Sequence, residues 1–310
     1  MVNYRCNAAC RHCLYACSPT RQAGYISGDK TSEICNLLVK NGIGSVHIGG
    51  GEPFLDFKGL LGVIRCLSSS NIQLDYIETN AFWAKGPSSM EHIRILKEEG
   101  VEALCISTDP FHAEHVPWNY PLELAGACEK QGLGYFLWKN EFVRFFSGLE
   151  KNKKYSRKEL DAFSPGYIGK TAAAYGIRSG GRAVNIQKEY GNMKPIEDLP
   201  DSSSCTQLLS TGHFHVDKDG FFIPPGCTGL RLPLDELTAG TEQGKFPVFE
   251  ALYTGGITAL YRLALEHGFI QDPGGYSSKC SLCFYIRSFL APLGFLELDE
   301  NFYSESLKYY

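Results

Sequence analysis

The sequence predicts an α/β protein built on a parallel sheet that closes into a barrel or part of one, followed by a smaller second domain. Three observations carry this. Four strand-like runs begin at Ser45, Ile72, Val101 and Leu133, at steps of 27, 29 and 32 residues, with helical patterns between them. Such steps suit successive βαβ units, and the right-handed crossover then favours a barrel. After Tyr190 the character changes, and residues 191–204 (GNMKPIEDLPDSSS) read as a linker. Last, the cysteines crowd towards both ends of the chain, which gives each domain its own cluster of thiols.

Taken in order, Thr31 and Ser32 are candidate caps for a helix that carries Ile34, Leu37, Leu38 and Val39 and stops at Gly42. The strand Ser45–Ile48 follows. Leu60, Leu61, Ile64 and Leu67 then recur at helical spacing. Ile72–Thr79 reads as a strand, Met90–Glu99 as a helix, Val101–Ser107 as a strand, Pro121–Gln131 as a helix and Leu133–Trp138 as a strand. Beyond the linker, apolar segments flank Asp217-Lys218-Asp219-Gly220, a hairpin signal. Val248–His267 reads as one or two helices broken at Gly255-Gly256. These boundaries give a core over 1–190, a linker over 191–204 and a domain over 205–310 whose own core is expected to be thin, so that a metal staple would help it fold.

Hydrophobic residues make up 44% of the chain and charged residues 21%, which excludes disordered and collagen-like classes. A net charge of −4 gives no chain-wide field for nucleic acid or anionic lipid. No apolar run reaches the roughly 20 residues of a membrane helix, and the first residues lack a signal-peptide pattern, so a cytoplasmic location is expected. In that setting twelve cysteines read as thiols and metal ligands rather than disulfides.

Cys6, Cys10 and Cys13 have the spacing Cys-x3-Cys-x2-Cys. Three thiolates in one tight loop suit three irons of a [4Fe–4S] cluster and leave the fourth iron open to a chelating molecule; a zinc knuckle is the alternative for the triad alone. Gly49-Gly50-Gly51-Glu52-Pro53 follows directly on the strand Ser45–Ile48. Its glycines allow close approach of the backbone to a ligand.

Together the triad and Gly50-Gly51-Glu52-Pro53 resemble the two motifs of the radical S-adenosylmethionine superfamily, in order and separation. The resemblance covers roughly residues 2–190. It implies a partial (β/α)6 TIM-like barrel, a [4Fe–4S] cluster on Cys6, Cys10 and Cys13, and S-adenosylmethionine as cosubstrate. It also implies hydrogen abstraction by a 5′-deoxyadenosyl radical, with flavodoxin or ferredoxin as electron donor. By the same resemblance His12 lies near the adenine, and Gly50, Gly51 and Glu52 meet the methionyl amino group. Thr79 and Asn80 form a polar strand-end pair. Ser107 meets the ribose or carboxylate, and Arg182, within Gly181-Arg182-Ala183, pairs with the carboxylate. With five residues before Cys6, the first strand is expected to shrink to Val2–Arg5.

Cys205, Cys227, Cys280 and Cys283 follow the linker, with the hairpin between the first two. Four thiolates close a cluster or a zinc site equally well. The arrangement resembles the twitch domain, a shortened SPASM module, and that resemblance implies a small α+β iron–sulfur domain with one auxiliary [4Fe–4S] cluster acting as electron acceptor. Cys35, Cys66, Cys105 and Cys128 read as core thiols, and Cys17 as a core thiol or a neighbour of the first cluster. Asp109 and His112, just past a strand end, are candidates to orient substrate or take up a proton. His213 and His215 alternate along a hairpin strand, so both face one side. Lys151–Lys158 is a solvated basic stretch. The expected function is oxidation or rearrangement of a small metabolite or a peptide side chain. The alternatives are C-methylation, C–C bond formation, a non-catalytic iron–sulfur electron carrier, or a structural zinc protein. No membrane or nucleic-acid partner is expected.

Overall fold

A computed structural model describes residues 1–86, 88–199, 205, 208, 210, 212–239 and 242–308. The chain forms two compact units. One comprises Met1–Cys10 with Cys17–Tyr175, the other Arg11–Ala16 with Gly176–Tyr310.

The first unit alternates helix and strand: α1 (Gly28–Lys40), β1 (Ser45–Ile48), α2 (Phe57–Ser69), β2 (Gln73–Thr79), α3 (Ser88–Glu98) and β3 (Ala103–Ser107). The short α4 (Pro110–Ala113), then α5 (Asn119–Gln131), β4 (Gly134–Trp138), α6 (Arg157–Phe163) and α7 (Tyr167–Tyr175) complete it. The four strands are parallel in the order β1-β2-β3-β4, and each begins within two residues of its expected start. The cap of α1 is Ser27, which accepts Lys30 N at 3.2 Å. Thr31 and Ser32 instead bond back to the carbonyls of Ser27 and Gly28, because the helix starts a turn earlier than its apolar pattern suggests.

The expected six strands are met by four among the described residues. After β4 the chain turns into a 3-10 segment, Asn140–Phe146, and two helices. Its rings pack locally: Phe146 stacks on Trp118 at 5.7 Å, and Phe142 and Phe146 cluster with Ala113. Residues 2–5, the expected short first strand, are not a strand of the sheet but bond to the turn that follows β1. Val2 N donates to Gly49 O at 2.9 Å, Gly51 N to Asn3 O at 2.8 Å and Glu52 N to Arg5 O at 3.1 Å.

One face of the sheet carries fully buried Ile77, Leu104 and Ile106 and partly buried Tyr135 and Leu137. The other aligns Glu78, Cys105 and Phe136 across three strands, with Ser107 beside Trp138. His47 stacks on Tyr76 at 4.8 Å and Tyr76 meets Phe136 edge-on at 5.2 Å, so this face is largely aromatic.

The second unit holds α8 (Ala183–Tyr190), β5 (His215–Val216), β6 (Phe221–Ile223), β7 (Leu232–Pro233) and α9 (Leu234–Ala239), followed by α10 (Pro247–Glu266), α11 (Lys279–Leu290) and α12 (Glu300–Leu307). The three short strands pair antiparallel in chain order. The hairpin turn is where the sequence puts it: buried Asp217 accepts Asp219 N at 3.0 Å and Phe221 N at 2.9 Å through Oδ1. Helix α10 breaks at Gly256, whose φ of 60° and ψ of −148° are not helical. Within the linker, Lys194 bridges Tyr276 and Ile196–Asp198 form a 3-10 turn; residues 200–204 lie outside the described residues. The compact units divide at Tyr175/Gly176 rather than after Tyr190, since Val184 of α8 is buried in the second core.

That core is not thin. Leu230, Leu232, Val248, Leu260, Phe284 and Phe302 are buried in one continuous cluster. The apolar faces of α10, α11 and α12 supply most of it, a contribution that the cysteine-centred reading of this region undervalues.

Candidate functional site

Glu52 is the hub of the first unit's site. It follows the Gly49–Gly51 turn and is buried, and its carboxylate accepts three hydrogen bonds. Oε1 takes Thr79 Oγ1 at 2.9 Å and Phe54 N at 3.2 Å, and Oε2 takes Asn80 N at 2.8 Å. Burial outweighs these donors and pushes its pKa up to about 7. Thr79 in turn accepts Trp83 Nε1 at 3.0 Å. Asn80 donates through Nδ2 to Asn7 Oδ1 at 2.9 Å and to Cys6 Sγ at 3.6 Å. Ala8 N also donates to Cys6 Sγ, at 3.4 Å. The structure therefore joins Cys6, Glu52, Thr79 and Asn80 in one hydrogen-bonded network.

The chain itself also comes close to the glycines. A Cβ on Gly51 would stand 2.1 Å from Arg5 O, and one on Gly50 would stand 2.7 Å from Asn3 Oδ1. Their small size admits the chain that leads into Cys6. Asn3 locks that approach, donating to Glu52 O at 2.9 Å and accepting Gly51 N at 3.0 Å.

Asp109 and His112, just past the end of β3, pair with each other. Asp109 caps α4, accepting His112 N at 3.1 Å through Oδ1, and its Oδ2 lies 2.7 Å from His112 Nδ1. Burial pulls the imidazole pKa down, but Asp109 and the Cys10 thiol outweigh it and hold the ring well above its ordinary value. With both carboxylate oxygens engaged and the side chain fully buried, Asp109 orients His112. Ser107 ends β3, half-buried.

In the second unit, Arg182 N donates to Cys13 O at 3.0 Å, and Gly181 lies so close that a Cβ would stand 2.2 Å from that oxygen. The Gly181-Arg182-Ala183 segment thus backs the third cysteine of the motif through its main chain; the Arg182 side chain and His12 are both buried. His213 and His215 share a side as expected, with ring centroids 5.1 Å apart, and His215 Nδ1 lies 2.7 Å from Tyr15 Oη.

Of the four late cysteines, Cys205, Cys227 and Cys283 lie near one another, and Cys280 is exposed one turn before Cys283 on α11. Cys227 is hydrogen-bonded to Cys205, and that bond, with burial, pushes its pKa well up against the pull of Arg287; Cys283 adds to the rise. Burial also raises Cys283, which feels Arg287, Cys280 and Cys205 in turn. Residues up to 78 positions apart in sequence are gathered by the hairpin, by α11 and by the chain before α10. Sequence reasoning missed Arg287. Its only signal is a charge four residues after Cys283 in an otherwise apolar and aromatic helix.

All twelve cysteines are thiols. Burial drives Cys105 and Cys128 up to about 12 and Cys35 up to about 11, which keeps them protonated and suits core packing. Cys66 faces Cys35 with the sulfurs 3.9 Å apart, and Cys17 is buried. The donor set at each end of the chain fits an iron–sulfur cluster: soft sulfur ligands with N–H or cationic neighbours that stabilise thiolate.

Residues 2–104 match the family described as a 4Fe-4S single cluster domain. The chain is 32% identical over 117 residues to the "Putative peptide biosynthesis protein YydG" of Bacillus subtilis, covering 37% of this chain and 36% of that protein. It is 29% identical over 140 residues to the "GTP 3',8-cyclase" of Peptoclostridium acidaminophilum, covering 43% of this chain and 42% of that one. The chain thus spans about two fifths of the length of these curated relatives. Among the described residues no helix is long and apolar enough to cross a membrane. With the Cys6, Cys10 and Cys13 spacing and Gly50-Gly51-Glu52-Pro53, these matches support a radical S-adenosylmethionine enzyme.

Proposed function

We propose that the protein abstracts hydrogen from a peptide side chain or small metabolite, and that the net reaction is an oxidation or rearrangement. The observation that carries this is the single network joining Cys6 to Asn80, Glu52 and the Gly50-Gly51 turn. An electron carrier needs no S-adenosylmethionine pocket, which Gly50-Gly51-Glu52-Pro53 suits. When bound, a [4Fe–4S] cluster on Cys6, Cys10 and Cys13 supplies one electron to S-adenosylmethionine, and the resulting 5′-deoxyadenosyl radical takes a hydrogen atom from substrate. The chain's own residues prepare for this. Asn80 and Ala8 direct N–H groups at Cys6 Sγ. His112, oriented by Asp109, places positive charge beside Cys10. Glu52 fixes the ends of β1 and β2 against each other. Thr79, Asn80 and Ser107, at strand ends, together with the Gly50–Glu52 turn, His12 and Arg182, are the proposed contacts of S-adenosylmethionine.

The aromatic sheet face of His47, Tyr76, Phe136 and Trp138 supports a substrate with apolar or ring groups. The likeness to a relative named for peptide biosynthesis supports a peptide. We assign Cys205, Cys227, Cys280 and Cys283 to an auxiliary [4Fe–4S] cluster in a twitch-like domain, which accepts the electron that an oxidation releases. A flavodoxin or ferredoxin would reduce the first cluster, and oxygen-labile clusters call for a reducing, cytoplasmic setting.

The test is anaerobic turnover of S-adenosylmethionine by the reconstituted, reduced protein. The wild type should form 5′-deoxyadenosine, and the C6A/C10A/C13A variant should form none. Formation at the wild-type rate by that variant would reject the assignment.

A further inference from the structure

Arg287 is the largest charged side chain buried beside the late cysteines. It is 2% exposed and stands on α11 one turn after Cys283. Its Nη1 donates to Thr228 O at 2.9 Å, to Tyr303 Oη at 2.8 Å and, at 3.4 Å, to the carbonyl of Cys227 itself. Its carbon centre lies 5.7 Å from the Tyr303 ring. Its Nε is buried without a hydrogen-bond partner. Among the described residues no carboxylate lies within ion-pair distance of it.

A guanidinium does not shed its proton inside a protein. Burying one without an anion is costly, and neutral carbonyls and a phenol repay only part of the loss. The four-cysteine site adjoins it: its Nη1 reaches the Cys227 carbonyl at 3.4 Å, Cys283 stands one turn before it on α11, and the phenol of Tyr303, its pKa pushed up by burial, stays neutral. The positive charge is thus built into the fold, and its counter-charge must come from the four-cysteine site.

We propose that Arg287 is the fixed counter-cation of the four-cysteine site and raises the reduction potential of the cluster held there. The inference rests on the auxiliary-cluster reading above. A four-thiolate cluster is already anionic, and one-electron reduction makes it more so, so a buried cation nearby stabilises the reduced form more than the oxidised one. The electron comes from the substrate-derived radical as that radical loses a proton to a base or water. Arg287 is a positioning residue here and takes no part in bond making.

The test uses the full chain carrying C6A/C10A/C13A, so that the late site alone gives the iron–sulfur signal. Arg287→Met removes the charge and keeps much of the apolar bulk. Arg287→Lys keeps the charge. Potentials are read by redox titration followed by electron paramagnetic resonance, and iron, sulfide and zinc are assayed on the same samples. We expect Arg287→Met to shift the reduction equilibrium at least tenfold towards the oxidised form, ~59 mV for one electron, and Arg287→Lys to stay within about threefold. A Met variant that folds but loses its iron, while the Lys variant retains it, supports the same role. An unchanged potential in an iron-loaded Met variant overturns the proposal, and so does equal loss of iron from both variants. Zinc in place of iron in the parent protein instead overturns the auxiliary-cluster reading.

Discussion

The two proposed cluster sites are built by opposite routes. The first is local: Cys6, Cys10 and Cys13 fall within eight residues, and main-chain bonds from residues 2–5 to the turn after β1 fix how the loop leaves the sheet. The second is assembled from afar, its four sulfurs arriving from the chain before α10, from the end of the hairpin and from α11. Their electrostatics differ in the same sense. The first site uses N–H donors and an imidazole held by Asp109, whereas the second uses a permanent buried charge, Arg287. A motif-like spacing marks the first site, whereas at the second the sequence groups the cysteines and only the fold adds Arg287.

Removing a ligand should have the largest effect and should strike the two sites unequally. Cys283→Ala should leave about four of about eight irons and lower the melting temperature, because metal binding is folding free energy wherever the ligands come from distant elements. Iron analysis and a thermal melt check both. An unchanged iron count in this variant would show that the second site holds no cluster.

The next effect belongs to the first site's backbone. Gly51→Ala would drive a Cβ to 2.1 Å from Arg5 O, a main-chain atom that cannot swing away. Overpacking of this kind should cost about 3 kcal/mol and displace the segment that leads to Cys6. Urea unfolding should show the loss, and 5′-deoxyadenosine formation should fall more than tenfold. A Gly51→Ala protein of wild-type stability would mean that residues 2–5 do not depend on this close approach.

Glu52 links that backbone to pH. Folded Glu52 keeps its proton up to about pH 7, against 4.5 for the ordinary side chain. The folded state therefore binds more protons than the unfolded chain between those values, and this group's contribution to stability falls as pH rises through the window. The whole effect amounts to at most about 3 kcal/mol. Urea midpoints measured from pH 5 to pH 7.5 should decline less steeply in Glu52→Gln than in the wild type. Parallel slopes would place the carboxylate's charge elsewhere in the balance.

Much of this was legible in the residues. The strand starts, the hairpin at Asp217–Gly220 and the break at Gly256 all came from local rules, because glycine and alternating apolar residues restrict the backbone wherever they stand. The triad and the Gly50–Pro53 turn were legible for the same reason. What stayed hidden was non-local. Nothing in the spacing of Gly51 says that it touches Arg5, and a lone Arg in KCSLCFYIRSFL looks like a surface charge until α11 is packed. The six-strand expectation also failed on tertiary grounds, since the aromatic residues 142–146 pack on the first unit as a 3-10 turn instead of extending the sheet.

The smallest expected effect tests whether the hairpin or the helix places the late cysteines. Asp217 is buried and holds the turn between β5 and β6 through two bonds from main-chain N–H groups. Asp217→Ala leaves those groups without their acceptor, which should cost about 1–2 kcal/mol. Cys227, however, is also anchored through the bond from Arg287 to its own carbonyl and through the neighbouring Thr228 carbonyl, and both contacts come from α11. The iron content of Asp217→Ala should therefore match the wild type even as its urea midpoint drops. Loss of the late site's iron from this variant would move the organising role from α11 to the hairpin. The second site would then resemble the first, with ligands placed by a local turn after all.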